Sequence, residues 1–154
     1  MQRQLKVGRF FLALGFFAVF MAACSQTAKT AGVGEAKQFS TACDKANDGK
    51  NVAVEGYLRF PESFTGSKDV VLRLYETSNF DGSPIGVQID FGTQANQVKA
   101  VADQYSDSDL TVYLADGGPA QFGSKVKVSG YVYYPLVGQD FTCGLDTPYL
   151  ESAE

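Results

Sequence analysis

Histidine is absent from this chain of 154 residues. Histidine is the side chain that titrates near neutral pH, and it is the commonest protein ligand of zinc. No serine lies in a Gly-x-Ser-x-Gly elbow, and no glycine-rich loop opens a helix in the pattern that cradles phosphate. The sequence therefore predicts a protein that is not an enzyme and that has no metal ion or other cofactor.

Basic residues are few, and they do not cluster. Removing residues 1–23 removes three of the 13 basic residues and none of the 17 acidic ones, which leaves 10 against 17 and a net charge near −7. Nucleic-acid binding needs lysine and arginine to neutralise phosphates. The sequence thus predicts no nucleic-acid partner and no polybasic contact with anionic lipid.

A long apolar run is missing as well. The run Phe10–Ala23 has 14 residues, whereas a membrane-spanning helix needs about 20. Arg3, Lys6 and Arg9 precede it, and small residues end it. A basic start, a short apolar middle and a small-residue end are typical of a secretory signal peptide, predicted here as residues 1–23.

The residues that end this run, Ala22-Ala23-Cys24, resemble the lipobox of bacterial lipoproteins, with Met21 where leucine is commonest. The resemblance implies that the Cys24 thiol is diacylated, for example with palmitate, and that Cys24 becomes the new N-terminus. Two or three acyl chains hold a soluble domain at a bilayer. Ser25 in place of aspartate implies the outer membrane, facing the periplasm. The alternative is an ordinary cleaved signal with an incidental cysteine.

Cysteine usage agrees with export. Beyond Cys24, the chain contains Cys43 and Cys143, and an even number of thiols in an oxidising compartment usually pairs. We expect a Cys43–Cys143 disulfide, with two buried thiols as the alternative. Residues 24–34 are small and polar and predict a flexible tether, which leaves residues 35–154 as one domain.

Alternation of apolar and polar residues predicts five strands after residue 50. A short helix, with Phe39, Ala42, Cys43 and Ala46 on its inner stripe, precedes them. A second helix is predicted over 94–105, between the third and fourth strands, because Val98, Val101, Ala102 and Tyr105 follow helical spacing. The inward strand residues are expected to be Val52, Val54, Leu58, Phe60, Val70, Leu72, Leu74, Val87, Ile89, Phe91, Leu110, Val112, Leu114, Val126, Val128, Val132 and Tyr134.

The order of three strands, a helix and two strands predicts an all-β fold with accessory helices, a five-stranded OB-fold-like Greek-key barrel. Gly56 within the first strand predicts a bulge or bend. Together with the closing stretch FGSKVKVSGYVYY, this strand resembles bacterial OB-fold envelope proteins and the tRNA-anticodon-type OB domains of exported lipoproteins, over residues 50–135. A small β-sandwich is the alternative, and it leaves the helix at 94–105 without a natural place.

OB-folds bind ligands across strands two and three and the neighbouring loops. The outward residues predicted there are Arg73, Tyr75, Gln88 and Asp90, with Tyr57 and Arg59 from strand one. Such residues stack on sugar rings or hold a peptide, but they also suit an ordinary solvated strand surface. The aspartates of DQYSDSD lack the glycine and closing glutamate of a calcium loop, which favours a solvated loop.

Two functions of different classes follow. The first is a lipid-anchored binding or adaptor module of the cell envelope, whose partner is a protein, glycan or peptide. The second is a structural or stress-protective envelope lipoprotein without a small-ligand site. A tightly held ligand would support the first function.

Overall fold

The structure, a computed structural model, describes residues 29–66 and 68–153. The signal peptide predicted at 1–23, Cys24 and the first residues of the predicted tether lie outside these ranges. The elements are β1 (Glu35–Ala36), α1 (Phe39–Ala42), a 3-10 helix (Lys45–Asn47), β2 (Asn51–Arg59), β3 (Asp69–Tyr75), β4 (Ile85–Asp90), β5 (Gln97–Val98), a 3-10 helix (Asp107–Asp109), β6 (Thr111–Tyr113), β7 (Pro119–Gln121), β8 (Lys125–Tyr133) and β9 (Gly144–Ser152).

Five strands close into a mixed barrel. They are hydrogen-bonded in the order β2-β3-β4-β9-β8, and β8 pairs back onto β2. The β4–β9 pair is parallel, and the other four pairs are antiparallel. The protein is thus an all-β, OB-fold-like barrel, as the sequence predicts. Because the sheet closes on itself, the alternative of a β-sandwich is wrong.

The barrel interior is filled by the residues that alternation predicts. Nearly all the predicted inward residues are at most 3% exposed, Leu114 is 8% exposed, and Phe91 and Tyr134 pack against this core while partly buried. Side chains on a strand alternate between its two faces, so each barrel strand places one apolar row inside. Leu145 and Leu150 of β9 complete the core, each at 0% exposure.

The prediction of a helix over residues 94–105 is wrong. In its place β5 pairs with β6, and β6 pairs with β7, as a separate three-stranded sheet. Val98 and Tyr105 do face the core, but Val98 does so from β5, opposite Val112. Both side chains are buried by contacts with the core, so their helix-like spacing in the sequence does not require a helix.

The strand predicted at 110–114 is real, but it is not a barrel strand. It forms β6 of the small sheet, and the fifth barrel strand is β9, in the tail that the sequence places outside the barrel. β9 lies between β4 and β8 and joins them. The barrel therefore extends beyond the predicted residues 50–135.

Gly56 lies in β2 without a bulge, because the pairing of β2 with β8 runs unbroken from Asn51 to Tyr57. The reason for a glycine here is close approach of a neighbouring strand. A Cβ atom at position 56 would overlap the carbonyl oxygen of Tyr75 in β3. The irregularity of the barrel lies instead in the β8–β9 pair, where the two steps from Ser129 to Tyr131 face three steps, from Asp146 to Tyr149, on β9.

Cys43 and Cys143 form a disulfide, as expected, with their Cα atoms 5.6 Å apart. Cys43 follows α1, and Cys143 precedes β9. Ala42, the last residue of α1, is fully buried. The bond therefore ties the segment before the barrel to the strand that closes it.

Residues 32–34, the end of the predicted tether, lie against β2. The Asn51 side chain donates a hydrogen bond to the carbonyl oxygen of Gly32 at 3.1 Å, and β1 then pairs in parallel with Val52 and Ala53. Within residues 29–66 and 68–153, no helix has the length and apolar character that crossing a membrane requires.

Candidate functional site

The outer face of β2 and β3 brings together four of the six residues predicted to bind a ligand. Tyr57 is the cross-strand partner of Tyr75, and Arg59 is the partner of Arg73. Alternate residues of a strand share a face, so both tyrosines and both arginines lie on the outside of the barrel. The predicted grouping holds for these four residues.

Arg73 is not an exposed residue, contrary to the prediction. It is 8% exposed, because the loop between β8 and β9 folds back over it. Its guanidinium lies 4.8 Å from the ring centre of Phe141 and forms an ion pair with Asp140. Gly86 in β4 makes room for this loop, since a Cβ atom there would meet the Phe141 ring at 2.8 Å. Arg73 therefore helps to hold the loop, and its contacts explain its burial.

Arg59 remains accessible at the edge of the same face. Its Nη2 atom donates to Oδ2 of Asp107 at 2.7 Å, and its side chain keeps 38% exposure. Its guanidinium carbon also lies 5.2 Å from the ring centre of Phe80. A guanidinium within about 6 Å of an aromatic ring centre makes a favourable cation–π contact. Arg59 thus links the charged and aromatic parts of the site.

Three aromatic rings form a continuous surface beside Arg59, called here the aromatic patch: Tyr75, Phe80 and Phe122. The Tyr75 and Phe80 ring centres are 5.6 Å apart with an edge-on geometry of 88°. Phe80 and Phe122 stack at 5.2 Å with 14° between their planes. Phe122 is 37% exposed, which leaves part of the patch open to solvent. The patch offers ring faces and edges to a partner.

Phe80 has an unusual backbone conformation. Its φ is +60°, in the left-handed region that a bulky residue seldom adopts. Such conformations cost about 1–3 kcal/mol and concentrate at ligand-contacting sites. The loop between β3 and β4 holds Phe80 there, with its N–H donating to the Thr77 carbonyl oxygen at 3.1 Å. This conformation places the ring between Tyr75 and Phe122.

A cleft of about 260 Å³ lies next to the patch, and Tyr75 belongs to both. Ligand pockets for drug-sized molecules are usually about 300–1,000 Å³, so this cleft suits one side chain or sugar unit better than a whole small molecule. Its charged lining residues are two arginines and three acids: Arg59, Arg73, Glu62, Asp107 and Asp140. The cleft therefore has no excess of positive charge to attract an anion.

Two titratable groups of the cleft have shifted pKa values. Burial raises the pKa of Tyr105, whose hydroxyl donates to the Pro61 carbonyl oxygen at 2.9 Å. The hydrogen bond from Arg73 lowers the pKa of Asp140. Both shifts move the pKa away from neutrality, where general acid–base catalysis is most effective. Neither shift brings the pKa of Tyr105 or Asp140 closer to neutral pH.

The other two predicted residues, Gln88 and Asp90, are exposed but lie in a different groove. They oppose Val71 and Asp69 at the far end of β3. Asn96 and Thr147 line this groove with φ near +60° and +54°. The Asn96 side chain accepts a hydrogen bond from the Leu150 N–H at 2.8 Å, which accounts for its conformation. The predicted six-residue face is therefore two separate surfaces.

Two of the three aspartates of the DQYSDSD segment, Asp107 and Asp109, have partners within the protein, and Asp103 is exposed. Asp107 pairs with Arg59, and Asp109 accepts a hydrogen bond from the Ser106 backbone N–H at 2.8 Å. That bond lowers the pKa of Asp109. In the described part of the chain, no group of three acidic or cysteine side chains is arranged to hold a metal ion.

Phe80 and Phe122 are the site residues that sequence reasoning missed. Both lie in loops, where no periodicity indicates which way a side chain points. The signal available for Phe80 was its place in the turn NFDGSP, as an aromatic residue among turn formers.

No protein-family model and no curated protein matches this chain.

Proposed function

We propose that this protein is an exported, lipid-anchored cell-envelope protein whose barrel is a non-catalytic binding module. The observation that carries the binding role is the aromatic patch, with Phe80 held at a φ of +60° between two other rings. Backbone strain at an aromatic residue needs a compensating benefit, and presenting a ring to a partner supplies one.

The composition of the patch and its rim favours a protein or peptide partner. Tyrosine, phenylalanine and arginine are enriched in protein interfaces, and tyrosine and arginine recur among the residues that dominate binding energy. Arg59 beside Phe80 and the half-buried Tyr57 beside Tyr75 extend the patch in this way. The small cleft next to them accommodates a single protruding side chain of the partner.

The lipid anchor is supported by the sequence order of residues 3–24, in which basic residues, an apolar run and a small pair precede Cys24. The Cys43–Cys143 disulfide agrees with an oxidising, extracytoplasmic compartment. Together these observations favour a location at the envelope. The outer membrane, with the barrel facing the periplasm, follows from Ser25 and is part of the proposal.

Crosslinking in intact cells, followed by identification of captured proteins, tests the binding role. Phe122→Ala and Phe80→Ala should each reduce capture about tenfold or more if each ring supplies about 1.4 kcal/mol of binding. Tyr149→Ala is the matched control, because Tyr149 is half-buried on β9, away from the patch. Equal capture by all three variants, with intact thermal melts, would favour the structural function instead.

A further inference from the structure

The loop between β8 and β9 presents two apolar side chains directly to solvent. Leu136 is 88% exposed and Val137 is 106% exposed, far more than Phe122. They lie in the uncharged stretch Pro135-Leu136-Val137-Gly138, called here the apolar tip. Single exposed apolar residues are common, whereas these two are adjacent and together form a small apolar surface at the tip of the loop.

Both sides of the apolar tip are tied to the barrel. Before it, the Tyr134 hydroxyl donates to the Cys43 carbonyl oxygen at 2.6 Å. After it, Asp140 pairs with Arg73, Phe141 is 8% exposed, and Cys143 is held in the disulfide. The tip therefore stands at a fixed place at one end of β8.

Lys29, five positions after Cys24 in the sequence, lies near the same end. The Lys29 ammonium is 5.2 Å from the ring centre of Tyr131 and 3.4 Å from Oδ2 of Asp146. Tyr131 is near the end of β8 that leads into the tip. The five Cα–Cα steps from Cys24 to Lys29 span at most about 18 Å, whereas β8 is about 26 Å long. An acylated Cys24 would therefore hold the tip end of the barrel toward the bilayer.

We propose that the apolar tip docks on the phospholipid leaflet that holds the acylated Cys24, with Leu136 and Val137 entering the boundary between headgroups and acyl chains. This docking surface rests on the lipid anchor of the proposed function. The lysine–tyrosine contacts beside the tip, Lys29 with Tyr131 and Lys45 with Tyr134, suit this depth. Tyrosine is enriched at membrane interfaces, and lysine keeps its charge in the headgroup layer.

Acidic residues limit how deeply the tip enters. Asp44 follows Cys43, whose carbonyl oxygen accepts the hydrogen bond from Tyr134. Asp48 precedes Gly49, whose N–H donates to the Val132 carbonyl oxygen, so both aspartates lie beside the tip. They and Asp140 stay at the level of the headgroups.

Tryptophan fluorescence in proteoliposomes tests the docking surface, because the chain contains no tryptophan. Full-length protein with Leu136→Trp, exported and acylated in its host, is reconstituted in phosphatidylcholine vesicles that contain brominated lipid. The emission should shift to the blue and be quenched by bromine near the carbonyl end of the acyl chains, since interfacial apolar groups reach roughly 5–10 Å into that boundary. Gln121→Trp, exposed at the opposite end, is the control and should be quenched by aqueous iodide instead.

Mass spectrometry of the N-terminal peptide separates the two possible failures. Acylated Leu136→Trp protein whose emission is unaffected by brominated lipid would overturn the docking surface and leave the anchor intact. Protein without acyl chains would overturn the anchor and, with it, the docking surface. Val137→Trp provides a second position if Leu136→Trp lowers the thermal stability.

Discussion

The Cα atoms of Cys43 and Cys143 lie 5.6 Å apart, although the two residues are 100 positions apart in the chain. A disulfide across so long a loop restricts the unfolded chain strongly. The chain-entropy model gives an upper bound of about 4–5 kcal/mol for its contribution to the free energy of unfolding. Most of the described chain lies within this loop.

We expect reduction of the Cys43–Cys143 bond, or the variant Cys43→Ser/Cys143→Ser, to lower the melting temperature by several degrees. A few kcal/mol is a large share of the stability of a domain of this size. Calorimetry with and without reductant measures the change. The double variant is the control, because reductant should leave its melting temperature unchanged. Free thiols at both positions in unreduced protein would contradict this prediction.

The Arg73–Asp140 pair makes stability depend on pH in the acid range. The folded-state pKa of Asp140 lies below its ordinary value of 3.8, chiefly because of the hydrogen bond from Arg73. The pair therefore stabilises the fold above pH 3.8, and this contribution is lost as the pH falls through the lower, folded-state pKa. Because the Asp140 side chain is 64% exposed, solvent screening limits the contribution to about 1 kcal/mol or less.

We expect Asp140→Asn to be less stable than the parent protein at neutral pH and to lose stability less steeply below about pH 4. Urea unfolding at a series of pH values gives both quantities. Asp103→Asn, a change at an exposed position in another loop, serves as the control. Parallel stability curves for Asp140→Asn and the parent would show that the pair does not act in this way.

Gly56→Ala should destabilise the barrel, since the added Cβ would overlap the backbone carbonyl oxygen of Tyr75. Strands β2 and β3 would have to separate, at a cost of about 1–3 kcal/mol. Urea denaturation measures the loss. Gly32→Ala is the control, because nothing lies within 4 Å of a Cβ atom there. Similar midpoints for the two variants would be inconsistent with a close approach of β3.

Cys24→Ala should abolish acylation and release the protein from the membrane fraction. The acyl chains would be its principal membrane contact, because one or two apolar residues bind a bilayer only weakly. Incorporation of labelled palmitate and cell fractionation at high salt measure the effect. Ser25→Ala is the control that leaves the thiol in place. Continued labelling of Cys24→Ala would exclude acylation at this residue.

Alternation of residues was sufficient to predict β2, β3, β4 and β8, because each of them keeps one apolar row inside the barrel. Strand β9 was not predicted, because the alternation of inward and outward side chains changes part-way along it. Leu145 and Leu150 both point inward although they are five residues apart. Thr147, at a φ of +54°, and Pro148 lie between them, where the pairing of β9 with β8 shifts its register. Inward residues on the two sides of this irregularity are therefore not separated by an even number of positions, which is the pattern that predicts a strand.

The candidate site was predictable where it lies on strands and was not predictable where it lies on loops. Tyr57, Arg59 and Tyr75 take the predicted outer face through period-two geometry. Burial of Arg73 depends on Phe141, which is far along the chain and has no local signal in the sequence. Phe80 and Phe122 meet through the folding of two separate loops.

The position of β9 between β4 and β8 also has a consequence for biogenesis. A chain that is synthesised or threaded from its N-terminus presents β2, β3 and β4 long before β9, and the ring has a gap until β9 arrives. Pairing between strands so distant in the chain makes folding slow. If the protein is exported as proposed, its barrel would close only after β9, its last strand, has crossed the membrane.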